Sequence, residues 1–508
     1  MPLAREITFF LVVATANFTP ISGLNGPLAI VQNIGESLGV GSDKLPWLMA
    51  SYGLSAGTLI LFAGRLGDFF GHKRVFIIGN LWFAFFTLLC GFCSYLPKHS
   101  YVMFLTARVL QGVGPALCIP NAVALLGVTY VPGPRKAMVF AMFGAMAPVS
   151  AILSPLFAAL LAMLWLPAAF LGLTAVLLLV AVAAVFVVPE DQANGASVTS
   201  VSGVWLLASE LDIIGALTGI SGLALFGVAC NLGTFDGWDQ PHVLILFLSG
   251  VLLAITFVYI EKHARRPLLP CEAISPGVVY ILLAVFCGWG CFGIWIYYTW
   301  EFYSVLRGAS PLLATAWHSP ILLCGICAAL TTGVILQRVG PAVVMTFALL
   351  AFTVGTVLIA TAPVEQSYWL QTFICNIVIT WGMDLSFPAA TLMLSDLVGS
   401  DHQGIAASLV TTVINYSGAL ALGVAGAVEM RVHRTSVDEG VGKSHNSGSG
   451  GDPAAILKGY RAAWYLGIGL GIAGFFISAS FACVMLRRKR QQQAQQRSIR
   501  GEAGDGEA

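Results

Sequence analysis

An all-α polytopic membrane protein with fourteen transmembrane helices is the fold class that this sequence predicts, and three observations carry it. Apolar segments of roughly 20 residues recur along the chain, and that length matches a hydrocarbon core of about 30 Å. Charged residues make up 10% of the 508 and hydrophobic ones 57%, which leaves too little polar surface for a water-soluble body of this size. The charge that exists falls almost wholly in the short pieces between segments. In hydrocarbon every backbone N–H and C=O must bond inside its own element, so the segments are helices.

In order, the spans are placed at 7–30, 45–62, 75–93, 101–126, 138–161, 167–188, 213–230, 243–260, 278–298, 312–336, 343–362, 369–394, 405–428 and 464–485. The first reads as a span and not as a cleaved signal, since Asn17, Thr19, Ser22 and Asn25 interrupt it and no small-residue cleavage site follows. Lys and Arg set the orientation. With a cytoplasmic N-terminus, sixteen of them face the cytoplasm and eight face away, while Arg108 lies within a span. Both termini are therefore expected in the cytoplasm. Residues 189–210 read as a small, polar linker, and 431–460 as an extracellular loop without order. The tail, 491–508, is Gln-rich and then acidic, and is expected to be disordered.

An internal repeat sharpens the architecture. GRLGDFFG at 64–71 follows the second span, and GVILQRVG at 333–340 follows the tenth with the same glycine spacing. Gly114 precedes Pro120 in the fourth span as Gly382 precedes Pro388 in the twelfth, about 268 residues on. Two pairs at nearly one offset point to two homologous six-helix bundles facing a central cavity. The expected units are 1–189, a linker with two inserted helices at 190–272, and 273–490.

Polar groups stranded in apolar spans are the functional candidates, because a charge at mid-membrane costs about 2.5–3.5 kcal/mol on insertion scales. Arg108 is the first; it either faces the interior with a role or snorkels to the interface. Asp384 is the second, in the twelfth span, and could serve as proton carrier, substrate counter-charge or structural hydrogen-bond acceptor. Glu301 follows, at the end of the ninth span or its outer mouth. Gln111, Trp300 and His318 are cavity candidates, although His318 precedes Ser319-Pro320 and could belong only to a helix kink. In the 64–74 loop, Gly64 and Gly71 allow a tight turn. Asp68 can meet a helix N-terminus or Lys73 and Arg74, unless those two are topology charges alone.

These motifs carry a resemblance. GRLGDFFGHKR (64–74) and RVLQGVGPA (108–116) resemble the loop and fourth-helix signatures of the major facilitator superfamily. With fourteen spans the chain is most similar to the drug:proton antiporter branch. FPAATLMLSD (387–396), HQGIAASL (402–409) and VINYSG (413–418) look like its fungal aminotriazole-resistance type. The resemblance implies the major facilitator fold, a gating role for Gly64, Asp68, Gly71, Lys73 and Arg74, and proton coupling or substrate contact for Arg108. It also implies efflux of a drug, toxin or secondary metabolite at the plasma membrane, or a vacuolar or other internal one, by a monomer. The pattern is not complete. Phe69 stands where the family has Arg, the first span has no acid, and the fifth-span signature is reduced to Ala147-Pro148 and Ser154-Pro155. Proton antiport thus rests on the resemblance, and import or uniport of a small polar solute is the alternative.

Other functions find little support. Cys90/Cys93 and Cys324/Cys327 lie in apolar spans without His partners, so metal or redox work is not expected. No Gly-x4-Gly-Lys-Ser/Thr phosphate loop occurs, so ATP is not the expected energy source. A net charge of +1 with no basic domain argues against nucleic acid. No cofactor is expected, and the partners are a small-molecule substrate, protons and the lipid bilayer.

Overall fold

Fourteen helices long and apolar enough to cross a membrane run through the computed structural model of the chain. It describes residues 3–95, 100–131, 133–190, 212–235, 237–264, 267–268, 275–398, 403–440 and 452–505. The spans are Ala4–Ala29, Leu45–Phe70, His72–Phe92, Ser100–Thr129, Met138–Leu164, Leu166–Val187, Ile213–Gly233, Pro241–His263, Pro276–Leu306, Pro311–Val339, Pro341–Thr361, Gln371–Leu397, Ala407–His433 and Pro453–Arg487. We refer to them as spans 1 to 14. No strand occurs among the described residues.

Several expected boundaries move. Span 2 runs to Phe70, so Asp68 stands on its last turn and not in a free loop. No Pro lies between Pro46 at its start and Gly71, so nothing ends the helix before that glycine. Helix also fills part of the 431–460 loop, since one helix runs Gln403–Gly440 and the next begins at Pro453. That last helix continues to Asp505, where a disordered tail was expected. The stretch QQQAQQRSIR is rich in good helix formers, and a helix already nucleated in the membrane extends through it. The central part of the linker, 191–211, and loop residues 441–451 lie outside the described residues.

The turns after spans 2 and 10 are built alike. Gly71 and Gly340 both take φ +92°, a conformation that favours glycine. The Gly71 N–H donates to the Gly67 carbonyl at 2.9 Å, and the Gly340 N–H to the Leu336 carbonyl at 3.0 Å. Close packing also repeats. A Cβ on Gly114 would lie 2.4 Å from Phe83 Cβ, and one on Gly382 would lie 2.7 Å from a ring carbon of Phe352.

Spans 1 to 6 pack mainly among themselves, as do spans 9 to 14. Two main seams join these groups, span 2 against span 13 and span 5 against span 10. Glycines sit on both, 268 residues apart. A Cβ on Gly57 would lie 3.0 Å from Asn415 Cβ, and one on Gly325 only 2.4 Å from Pro148 Cβ. Spans 7 and 8 pair with each other, and span 7 lies across the first seam, touching spans 2 and 13. There the Tyr416 hydroxyl donates to the Leu223 carbonyl at 2.9 Å. Span 8 is only 11% buried, which leaves it the most lipid-facing of the fourteen.

Candidate functional site

Arg108 is fully buried, which rules out snorkelling. Span 4 delivers it to the contact with spans 1 and 2. Its Nη1 donates to the Gly23 carbonyl and to Gln111 Oε1, both at 2.7 Å, and its Nε to the Leu48 carbonyl at 3.2 Å. The guanidinium lies over the Tyr52 ring, 4.6 Å from its centre, a favourable cation–π placement. Gln111 donates onward to Thr87 Oγ1 at 2.7 Å. No carboxylate pairs with Arg108 among the described residues, and its Nη2 has no hydrogen-bond partner. Five donors in a fixed fork let carbonyls and an aromatic face stand in for a counter-ion. Nothing in the spacing of residues points to Tyr52 in this role.

Asp384 lies beside the second seam. Its Oδ2 is buried without a hydrogen-bond partner. It would stand 3.1 Å from a Cβ on Gly325, the same position that would meet Pro148. Spans 5, 10 and 12 therefore converge on one carboxyl group, and the missing side chain at Gly325 leaves it room. A carboxyl group so placed can exchange a proton or take a counter-charge when the seam opens.

Glu301 is buried, at 3% exposure. Gln32, on the short helix Val31–Leu38 after span 1, donates its Nε2 to Glu301 Oε2 at 2.6 Å. The Tyr460 hydroxyl reaches the same oxygen at 3.3 Å, while Oε1 has no partner. The Gln32 bond ties the first group of spans to the second. Directly after Glu301 the helix widens into a π turn, Phe302–Leu306, a distortion that often marks functional sites.

His318 does end a helix, Pro311–His318, before the chain resumes at Pro320–Val339. It is more than a kink. Trp300 stacks on the imidazole at 4.3 Å and 14°, with Tyr303 edge-on at 4.9 Å. Its Nδ1 meets the Ala314 carbonyl at 2.8 Å, and its Nε2 is unpartnered. Trp300 is 2% exposed, so it is a core residue and not an interfacial anchor. Nearby, Asn376 donates to the Trp317 carbonyl at 2.7 Å. Asn376 stands 268 residues after Arg108, so the repeat offset could have singled it out.

At the 64–74 turn the ion pair that forms is with His72. Asp68, largely exposed, meets His72 Nε2 at 3.5 Å one turn on. His72 Nδ1 in turn meets Asn121 Oδ1 at 2.9 Å, which ties the turn to span 4. Lys73 donates to the Val185 carbonyl at 2.9 Å, at the end of span 6. Arg74 is exposed. Gly64 lies where a Cβ would make ordinary contact with Pro120 at 3.7 Å. Arg108 with Gln111, Asp384, Glu301 with Gln32 and Tyr460, and Trp300 with His318 are thus separate groups.

Comparison with known proteins agrees on one family. The model of the Major Facilitator Superfamily matches residues 9–422. The chain is 45% identical to a low affinity ammonium transporter of Saccharomyces cerevisiae, over 94% of this chain and 89% of that one. It is 40% identical to the efflux pump terJ of Aspergillus terreus, over 94% and 88%. It is 32% identical to the aminotriazole resistance protein of Saccharomyces cerevisiae, over 94% and 85%. Among solved structures, a peptide transporter crystallised with sulfate superposes with a TM-score of 0.63 at 14% identity, over 93% of this chain and 94% of that one. That likeness concerns the fold alone.

Proposed function

Since the chain belongs to the Major Facilitator Superfamily, we propose that it is a secondary active transporter that exports a small organic compound in exchange for protons. The observation that carries this reading is Asp384, a carboxyl group with a buried, unpartnered oxygen where spans 5, 10 and 12 meet. Rocking of residues 1–189 against 273–490 about the two seams would expose that carboxyl to each side in turn. Asp384 loads a proton from one side and releases it to the other, while Arg108 and Gln111 hold spans 1, 2, 3 and 4 as one rigid body. The turn at 64–74 restrains the face on its own side through Asp68, His72 and Asn121. Both termini lie in the cytoplasm, the membrane is the plasma membrane, and the working unit is the monomer.

Likeness to an efflux pump and to a resistance protein supports export. In proteoliposomes, efflux of a candidate compound should stop when an ionophore collapses the proton gradient, and Asp384→Asn should lower gradient-driven efflux at least tenfold. Efflux that ignores the gradient, or an Asp384→Asn variant of normal rate, defeats proton coupling through this residue. A second reading, uptake or uniport of a small polar solute, is favoured by 45% identity to a low affinity ammonium transporter. Accumulation of solute by expressing cells, without resistance, would select it.

A further inference from the structure

The Glu301 cluster has features that neither proton exchange at Asp384 nor the architecture requires. Its carboxyl group is buried between two groups of spans, yet no basic side chain pairs with it among the described residues. Oε2 takes two neutral donors, from Gln32 and Tyr460, and Oε1 takes none. Arg307 is engaged elsewhere, donating to the Pro363 carbonyl at 3.2 Å with its guanidinium over the Phe302 and Trp317 rings. Tyrosine rings adjoin the acid on the Tyr460 side. Tyr460, whose hydroxyl meets the carboxylate, packs on Tyr298 at 5.4 Å. The Tyr298 hydroxyl is buried without a partner as well. A buried acid with one free oxygen among π faces is chemically complementary to an organic cation, which gains from both the charge and the ring faces.

We infer that Glu301 is the recognition site for a protonated amine on the transported compound, bound between Glu301 and the rings of Tyr298 and Tyr460. This rests on the transporter reading above and names its substrate class. The ammonium N–H groups bond the free Oε1 and, spanning the carboxylate, take the place of the Gln32 amide at Oε2. Because Gln32 belongs to the other group of spans, its displacement removes a tie between the two groups. Occupancy of the site and opening at that end are thereby linked through one hydrogen bond.

The test uses the full chain, purified and reconstituted, with methyl-, butyl- and benzylammonium each set against the alcohol of the same skeleton. At least one ammonium ion should raise the thermal midpoint saturably and be carried, while its alcohol does neither. Glu301→Gln keeps the shape and an acceptor for Gln32 and Tyr460, so it should fold normally but bind the ammonium ion at least tenfold more weakly. Glu301→Asp should keep part of the affinity. Gln32→Leu should tighten binding, because the competing donor is gone, an effect that a merely structural Glu301 would not produce. Equal responses to amine and alcohol, or unchanged binding in Glu301→Gln, would overturn the inference. Gradient-driven export of the ammonium ion that survives Glu301→Gln would sink the amine site and leave proton antiport standing. Amine binding that survives while all transport ignores the gradient would do the reverse.

Discussion

Arg108 illustrates how a lone charge is made tolerable in a membrane protein without a counter-ion. Three oxygen acceptors and one ring face surround it, each set by a different helix position. Lys offers three donors from a point charge and no planar fork, so Arg108→Lys cannot reach the Gly23 and Leu48 carbonyls and Gln111 at once. Each buried acceptor left unpaired costs about 1–3 kcal/mol. The expected outcome is a lower thermal midpoint and at least a tenfold loss of transport in proteoliposomes. Gln111→Ala, which leaves the Gly23 and Leu48 bonds in place, should lose less. A normal rate in Arg108→Lys would mean that the charge alone suffices. Arg108 and Asp384 stand out in the sequence because ionisable residues are rare in apolar spans. Their partners were not legible. Tyr52 lies 56 positions from Arg108, and Pro148 lies 236 from Asp384, distances that only tertiary packing closes.

Among the helices, the seams carry the strongest constraint. Gly325 faces Pro148 and Gly57 faces Asn415, so each seam brings two backbones together where a side chain would intrude. Adding a methyl group to so tight a contact costs about 1–3 kcal/mol. The cost is larger at Gly325, where the obstacle is a rigid ring at 2.4 Å, than at Gly57 with its nearest atoms at 3.0 Å. We expect Gly325→Ala to slow turnover several-fold and to lower the thermal midpoint, with a milder effect for Gly57→Ala. Stopped-flow transport with parallel melting curves would check both. Wild-type turnover in Gly325→Ala would show that the seam does not limit the cycle. The number and order of spans were readable from apolar length, because backbone satisfaction in lipid leaves helix as the one solution for an isolated segment. Helix ends were less readable. Span 2 continues through the 64–70 motif and the last helix through its Gln-rich tail, since neither contains a residue that stops a helix already formed.

At the scale of the whole molecule, the repeat foretold paired turns at Gly71 and Gly340, and the matching φ angles bear this out. It could not foretell where the inserted pair would lie, because spans 7 and 8 have no counterpart in either repeat unit. Their place over the seam of spans 2 and 13 follows from local fit, with a Cβ on Gly227 only 2.5 Å from Leu54. An even number of crossings requires both chain ends on one side, and the bias of sixteen basic residues against eight predicts that this side is the cytoplasm. Tags at the N-terminus, after residue 508 and within 441–451 would test the arrangement in intact cells. The two terminal tags should stay hidden from impermeant antibody until the membrane is permeabilised, and the 441–451 tag should be labelled at once. Labelling of either terminus on intact cells, or protection of 441–451, would invert the assignment. Inversion would also put the 64–74 turn on the outside and reverse the direction in which Asp384 and Glu301 meet proton and cargo.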